Sequence, residues 1–267
     1  LKVLFFDKYS ISNRLIKNLR EKGVYIVGFD DFGLQNDNYD LLIDHNFSHE
    51  AQGVDRKILG GYEYSVLDGQ FKEHKKNGFL IKNEDVEDKS DSRLNLFVNL
   101  GSGPVSNYEE MILKSFTRLK IKKMFNVYWL VNNDLSILHS KDELKFGIKR
   151  IAYIENMAEF LIDMDLAIGS CGVNAIERCC MGIPSLIFKT VENQQRNHLK
   201  LMAEKLAVPA NSVDDIIDSL NCFFINPKKL KVESDRCSLS VDGKGAGRVA
   251  NEICSLLNTL EVEQDFP

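Results

Sequence analysis

Short apolar runs alternate with amphipathic stretches along most of the chain, and the alternation predicts a parallel α/β fold. Residues 2–6 (KVLFF) read as a buried strand. Residues 11–21 then carry Leu15, Ile16 and Leu19 at helical spacing. Residues 24–28 read as a second strand, followed by the turn 29–33. Residues 39–43 read as a third, leaving through Asp44, His45 and Asn46. The run 83–93 (NEDVEDKSDSR) is almost wholly polar and predicts a linker. The expected organisation is a partial N-terminal domain over 1–82, the linker 83–93, and a second domain over 94–267 whose last helix packs back on the first.

In the second domain, strands are expected from Leu94 up to the Gly101 turn and at 125–131, 148–153, 166–168 and 185–188. Helices are expected at 108–119, with Ser106 and Asn107 capping it, and at 157–164, 173–181, 194–206, 213–224 and 248–260. A loop is expected at 241–247. Within the helix at 173–181, Val173, Ile176 and Cys180 share one face.

The chemistry gathers where strands turn into helices. The segment 165–197 (DLAIGSCGVNAIERCCMGIPSLIFKTVENQQRN) holds two strand patterns with a helix between them. Its turn, Gly169, Ser170, Cys171 and Gly172, meets a helix N-terminus, whose unpaired N–H groups and positive dipole end suit a phosphate. Glu177 lies one turn into that helix, within reach of sugar hydroxyls, and Asn193 and Gln194 open the next helix. Gly101, Ser102 and Gly103 follow an apolar strand in the same way and could cradle a pyrophosphate, although such turns recur throughout α/β folds.

Composition narrows the partners. The chain has 267 residues, 44% of them hydrophobic, and a net charge of −5, which does not suggest a nucleic-acid partner. No apolar run approaches the ~18 residues of a membrane span. No signal-peptide pattern opens the chain. Six cysteines lack C-x-x-C spacing and read as reduced, mostly buried side chains of a cytoplasmic protein. His45 and His49 stand four positions apart but have no third ligand nearby, so no metal is expected. His198 reads as a packing or surface residue, and Asp7, Lys8 and Tyr9 as a strand exit.

Several segments together carry a family resemblance. They are FFDKYSIS (5–12), GFDDFG (28–33), DLLIDHNFS (40–48), LGGYEYSVL (59–67), VNLGSGP (98–104), DLAIGSCGVNAIERCCMGIPSLIF (165–188), ENQ (192–194) and DGKGAGRV (242–249). In this order the chain resembles the UDP-2,4-diacetamido-2,4,6-trideoxy-β-L-altropyranose hydrolases of pseudaminic acid synthesis and the related spore-coat polysaccharide biosynthesis proteins. Both are similar to the wider glycosyltransferase B superfamily. The resemblance implies two Rossmann-like α/β domains facing across a cleft, and metal-independent hydrolysis of a UDP-sugar. It implies that Ser170, Cys171, Gly172, Val173 and Asn174 hold the diphosphate; the residues themselves add Gly101, Ser102, Gly103 and Gln194 as candidates for the same cleft. Glu177 would hold the ribose, and Tyr9 and Asn193 would place the water or sugar.

The chain departs from that family in one respect. The histidine of its N-terminal GxGHxxR-type loop, thought to act as general base, has no counterpart in residues 1–267, and position 8 is Lys where the family often has His. Because Leu1 already stands inside a strand pattern, the N-terminal domain is expected to be incomplete, with an exposed sheet edge that pairs with a second copy or a companion chain. The expectation is a UDP or UDP-sugar binder lacking the catalytic histidine loop. The alternatives are a glycosyltransferase using the same donor and a non-catalytic nucleotide-sugar-binding subunit.

Overall fold

The structure is a computed structural model that describes residues 2–7, 11–30, 39–46, 57–75, 93–101, 103, 105–120, 125–131 and 147–264. The chain divides into two compact units, one made of Leu1–Gly69 with Gly243–Pro267 and the other of Gln70–Asp242. The expected linker lies mostly outside the described residues.

In the first unit, strands β1 (Lys2–Phe6), β2 (Val24–Phe29), β3 (Leu41–Asp44) and β4 (Lys57–Gly60) form a parallel sheet in that order. Alternation along the strands sends side chains to two faces. Ile26 and Leu42 pack with Ile16 of helix α1 (Asn13–Arg20). Val27, Leu41, Ile43 and Leu59 pack with Val249 and Ile253 of the last helix, Gly245–Gln264. Ser12 caps α1, its hydroxyl accepting from the Leu15 amide at 3.3 Å. Strand β1 departs from expectation. It reads as buried in the sequence, yet Leu4 is 39% and Phe5 52% exposed. The reason is position: among the described strands β1 stands at the end of the sheet, with β2 as its one neighbour.

The second unit follows the short helix α2 (Gly69–His74), which straddles the division. Its elements are β5 (Leu94–Asn99), α3 (Ser106–Arg118), β6 (Phe125–Leu130), β7 (Ile148–Ile151), α4 (Met157–Leu161), β8 (Leu166–Ser170), α5 (Val173–Cys180), β9 (Ser185–Phe188), α6 (Gln195–Ala203), β10 (Val208–Pro209), α7 (Val213–Ile225) and α8 (Pro227–Ser240). The last helix is α9. The parallel sheet runs β10-β9-β8-β5-β6-β7. The chain therefore builds outward from β5 to β7, returns to lay β8 against β5, and builds outward again to β10. The boundary between β5 and β8 is a topological switch point, where open α/β sheets bind ligands at the strand carboxyl ends.

The core between the sheet and α3, α7 and α8 includes Leu96, Val98, Ile112, Trp129, Ile168 and Phe223. Several local expectations change. Ser106 is the first helical residue of α3 rather than its cap, because Val105 occupies the cap position without a side-chain bond. The helix expected at 157–164 is Met157–Leu161, and α9 begins at Gly245 inside the expected loop. Helix α8 was not foreseen, because its apolar positions form only a weak stripe. Its start is nonetheless local, with Pro227 in the first turn and the Asn226 side chain accepting from the Lys229 amide at 3.1 Å.

Candidate nucleotide-sugar site

Two strand-to-helix turns meet at the switch point. The first follows β5, where Gly101 adopts φ +82, a conformation L side chains rarely take, and donates its amide to the Asn99 side chain at 3.0 Å. The second follows β8 and opens α5. A Cβ built on Gly101 would lie 3.5 Å from the Ser170 hydroxyl, so the turns touch. The cap of α5 is Gly172, with extended backbone and no side-chain cap. Among the described residues, no group accepts from the amides of Gly172, Val173 and Asn174. These are the orphan donors of a helix N-terminus.

A loop after β9 closes one side. Asn193 and Gln194 lie in the short 3₁₀ turn Glu192–Gln194 rather than in the α-helix that follows. Gln194 covers Gly172, where a Cβ would lie 3.3 Å from its amide nitrogen. Its side-chain oxygen accepts from the Thr190 amide at 3.0 Å, the Thr190 hydroxyl at 3.2 Å and the Cys171 thiol at 3.5 Å. Buried Asn197 of α6 donates to the Cys171 carbonyl at 2.7 Å. The Tyr108 hydroxyl of α3 donates to the Lys189 carbonyl at 2.7 Å. The second turn and this loop are thus held from two helices. Burial pushes the Cys171 thiol up to about 11, so it is neutral and does not repel an anion.

Beneath the second turn lies Arg178, 1% exposed. It donates from Nη2 to the Ser170 carbonyl at 2.8 Å and from Nε to the Ser185 hydroxyl at 3.0 Å. Burial pushes its pKa down, against the smaller opposing pull of Cys179 and Glu177.

Of the residues expected at the site, the structure brings together Gly101, Ser170, Cys171, Gly172 and Gln194, with Gly103 beside Val191. Val173 and Asn174 supply open amides. Val173 is 48% exposed rather than sharing the buried face of Ile176 and Cys180. Glu177 is half-buried on α5. Tyr9, Ser102, Lys8 and His49 lie outside the described residues. His45 and His198 are half-buried, and among the described residues no group of three or more His, Cys, Asp or Glu side chains is placed to hold a metal ion.

Sequence reasoning missed Arg178, Asn197, Thr190 and Tyr108. Only Arg178 carries a signal, a charge set between Ile176 and the buried pair Cys179 and Cys180. It also missed a cavity of about 510 Å³ just beyond β7, lined by Gln70, Ile154, Glu155, Asn156, Glu159 and Phe160. Tyr153, 78% exposed, precedes that lining. In a parallel sheet this places the cavity on the same carboxyl edge as the two turns.

No protein-family model matches the chain. It is 23% identical to an uncharacterized protein of Methanocaldococcus jannaschii, over 98% of this chain and 53% of the other. It is 25% identical to the spore coat polysaccharide biosynthesis protein SpsG of Bacillus subtilis, over 93% of this chain and 75% of the other. The chain thus spans about half the length of the first relative. Among solved structures it resembles Acinetobacter baumannii MurG (TM-score 0.64, 11% identity, 96% of this chain and 74% of the other). It also resembles UDP-glucose: anthocyanidin 3-O-glucosyltransferase in complex with UDP (TM-score 0.65, 12% identity, 97% and 76%). A third is a UDP-N-acetylglucosamine 2-epimerase (TM-score 0.58, 12% identity, 97% and 73%). Among the described residues no helix is long and apolar enough to cross a membrane. The fold is that of the GT-B glycosyltransferases and epimerases, built from parallel-sheet α/β units.

Proposed function

We propose that the unit Gln70–Asp242 binds a UDP-sugar, its diphosphate seated on the amides of Gly172, Val173 and Asn174 and its ribose held by Glu177. The observation that carries this reading is the meeting of two glycine turns at the β5/β8 switch point, one of them opening an uncapped helix. Backbone amides fixed in place accept phosphate charge without rearrangement. The names of the B. subtilis relative and of the UDP-bound glucosyltransferase support a nucleotide-sugar role in polysaccharide synthesis.

The finer reading is hydrolysis of a UDP-linked 2,4-diacetamido-trideoxyhexose. Water oxygen bonds to the anomeric carbon, the bond to the UDP oxygen breaks with its electron pair leaving on UDP, and a base takes the water proton. A transferase is the second reading, favoured by the glycosyltransferase structures that share the fold; there an acceptor hydroxyl replaces water. No divalent metal is required in either reading, because the helix amides take the phosphate charge.

Calorimetry with UDP tests the site. One UDP binds per chain, with and without EDTA. Glu177→Ala weakens binding by about 1–3 kcal/mol, as expected for hydrogen bonds lost from a charged group. Affinity unchanged in the variant removes Glu177 from the site, and affinity that depends on Mg²⁺ contradicts the metal-free reading. Release of UDP from the sugar donor in water alone, against release only with an added acceptor, separates hydrolase from transferase.

A further inference from the structure

Arg178 is the largest buried charge the candidate site leaves unexplained. Its guanidinium is 1% exposed and spends two donors, on the Ser170 carbonyl and the Ser185 hydroxyl. Its Nη1 is buried and meets no acceptor among the described residues. No carboxylate among the described residues stands within ion-pair distance of it, whereas buried arginines are ordinarily paired. A strut between β8, β9 and α5 would need only a neutral donor. An unpaired buried cation is a costly way to make two bonds to neutral oxygens.

The position of the charge suggests what balances it. The Ser170 carbonyl stands at the entrance of the turn that opens α5 and would repel an anion there. The guanidinium ties that oxygen back and opposes its charge. Just beyond lie the amides of Gly172, Val173 and Asn174, which find no protein acceptor among the described residues. Room for the guanidinium depends on Gly169, where a Cβ would fall 2.9 Å from Nη1.

We infer that Arg178 is a buried positioning residue whose counter-charge is the ligand's phosphate, seated on the α5 amides and reached through the Ser170 turn rather than by direct contact. This rests on the nucleotide-sugar reading above. It goes further by predicting that affinity grades with ligand charge through one buried side chain. Because the charge is enclosed, its effect is screened little by salt, unlike that of surface lysines.

The test is a charge ladder of uridine, UMP and UDP, measured at low and high salt by calorimetry and, for the nucleoside, by saturation-transfer NMR. The variants are Arg178→Met, Arg178→Gln and Arg178→Lys. The neutral variants are expected to bind UDP about 10-fold or more weakly, UMP less so and uridine as the parent does, at both salt levels. Arg178→Lys keeps the cation and retains most of the ladder. Equal losses for all three ligands, or no loss, overturn the inference by leaving Arg178 a strut. If Arg178→Met does not fold, the comparison of Gln with Lys decides, and indistinguishable ladders for these two also overturn it. Failure of the unaltered protein to bind UDP at all instead overturns the nucleotide-sugar reading, and this inference falls with it.

Discussion

Strand β8 is buried at every position from Leu166 to Ser170, whereas β1 leaves Lys2, Leu4 and Phe5 exposed. Both strands are parallel and mostly apolar, so the difference lies in their neighbours. β8 hydrogen-bonds to β5 and β9, while β1 bonds to β2 alone among the described strands. A strand enclosed on both sides and both faces fixes the turn at its end. The amides at the start of α5 are therefore set by the core of their unit, which is the preorganisation an anion site needs. The N-terminal sheet has four described strands and smaller buried clusters on its faces, and it should open more readily.

Truncating each core tests that contrast with the largest expected effect. Ile112→Ala removes a fully buried side chain from the larger core and should destabilise its unit by about 3–5 kcal/mol. Ile253→Ala, on the helix that covers the smaller sheet, should cost about 2 kcal/mol, because its side chain sits at the margin of a smaller cluster. Chemical denaturation with hydrogen exchange by mass spectrometry separates the units. Protection in β5 and β8 that is no greater than in β2 and β3 would erase the distinction.

Two glycines sharpen the comparison at a smaller scale. A Cβ on Gly169 would meet the Asn99 carbonyl oxygen and the Arg178 guanidinium, and one on Gly245 would meet the Ser65 backbone. Each Gly→Ala change should cost about 1–3 kcal/mol by overpacking. Only Gly169→Ala should also weaken UDP binding, since Gly245 stands in the other unit. Equal loss of affinity from both would mean that global destabilisation, not the turn, controls binding.

The smallest effect concerns pH. Burial, helped by the charge of Lys189, holds His198 below its ordinary value of 6.5. The native state therefore favours the neutral ring. Its contribution to stability is complete above the unfolded value and declines as pH falls toward the lower native value. Denaturant midpoints should drop as pH falls below the ordinary histidine value of about 6.5, and His198→Gln should flatten that slope. A slope unaltered by the substitution assigns the drop to other groups.

The alternation of strand and helix patterns, the parallel sheets and the two phosphate-type turns were legible from residues 94–194, because hydrophobic period and glycine placement are local properties of a chain. So was the burial of Cys171, Cys179 and Cys180. The exposure of Phe5 was not legible, since edge or interior position depends on strand order. Nor was the partnership of Gln194 with Gly172, which lie far apart in sequence and meet only because β9 stacks beside β8. Arg178 shows the division most sharply. Its sequence position makes it an anomaly in an apolar helix, but only the fold places its guanidinium under the Ser170 carbonyl. The sequence by itself determined which elements form and where their turns carry glycine. The tertiary structure decided which turns meet, which strand stands at an edge and which charge lies buried. Those outcomes depend on contacts between distant segments, and no local pattern encodes them.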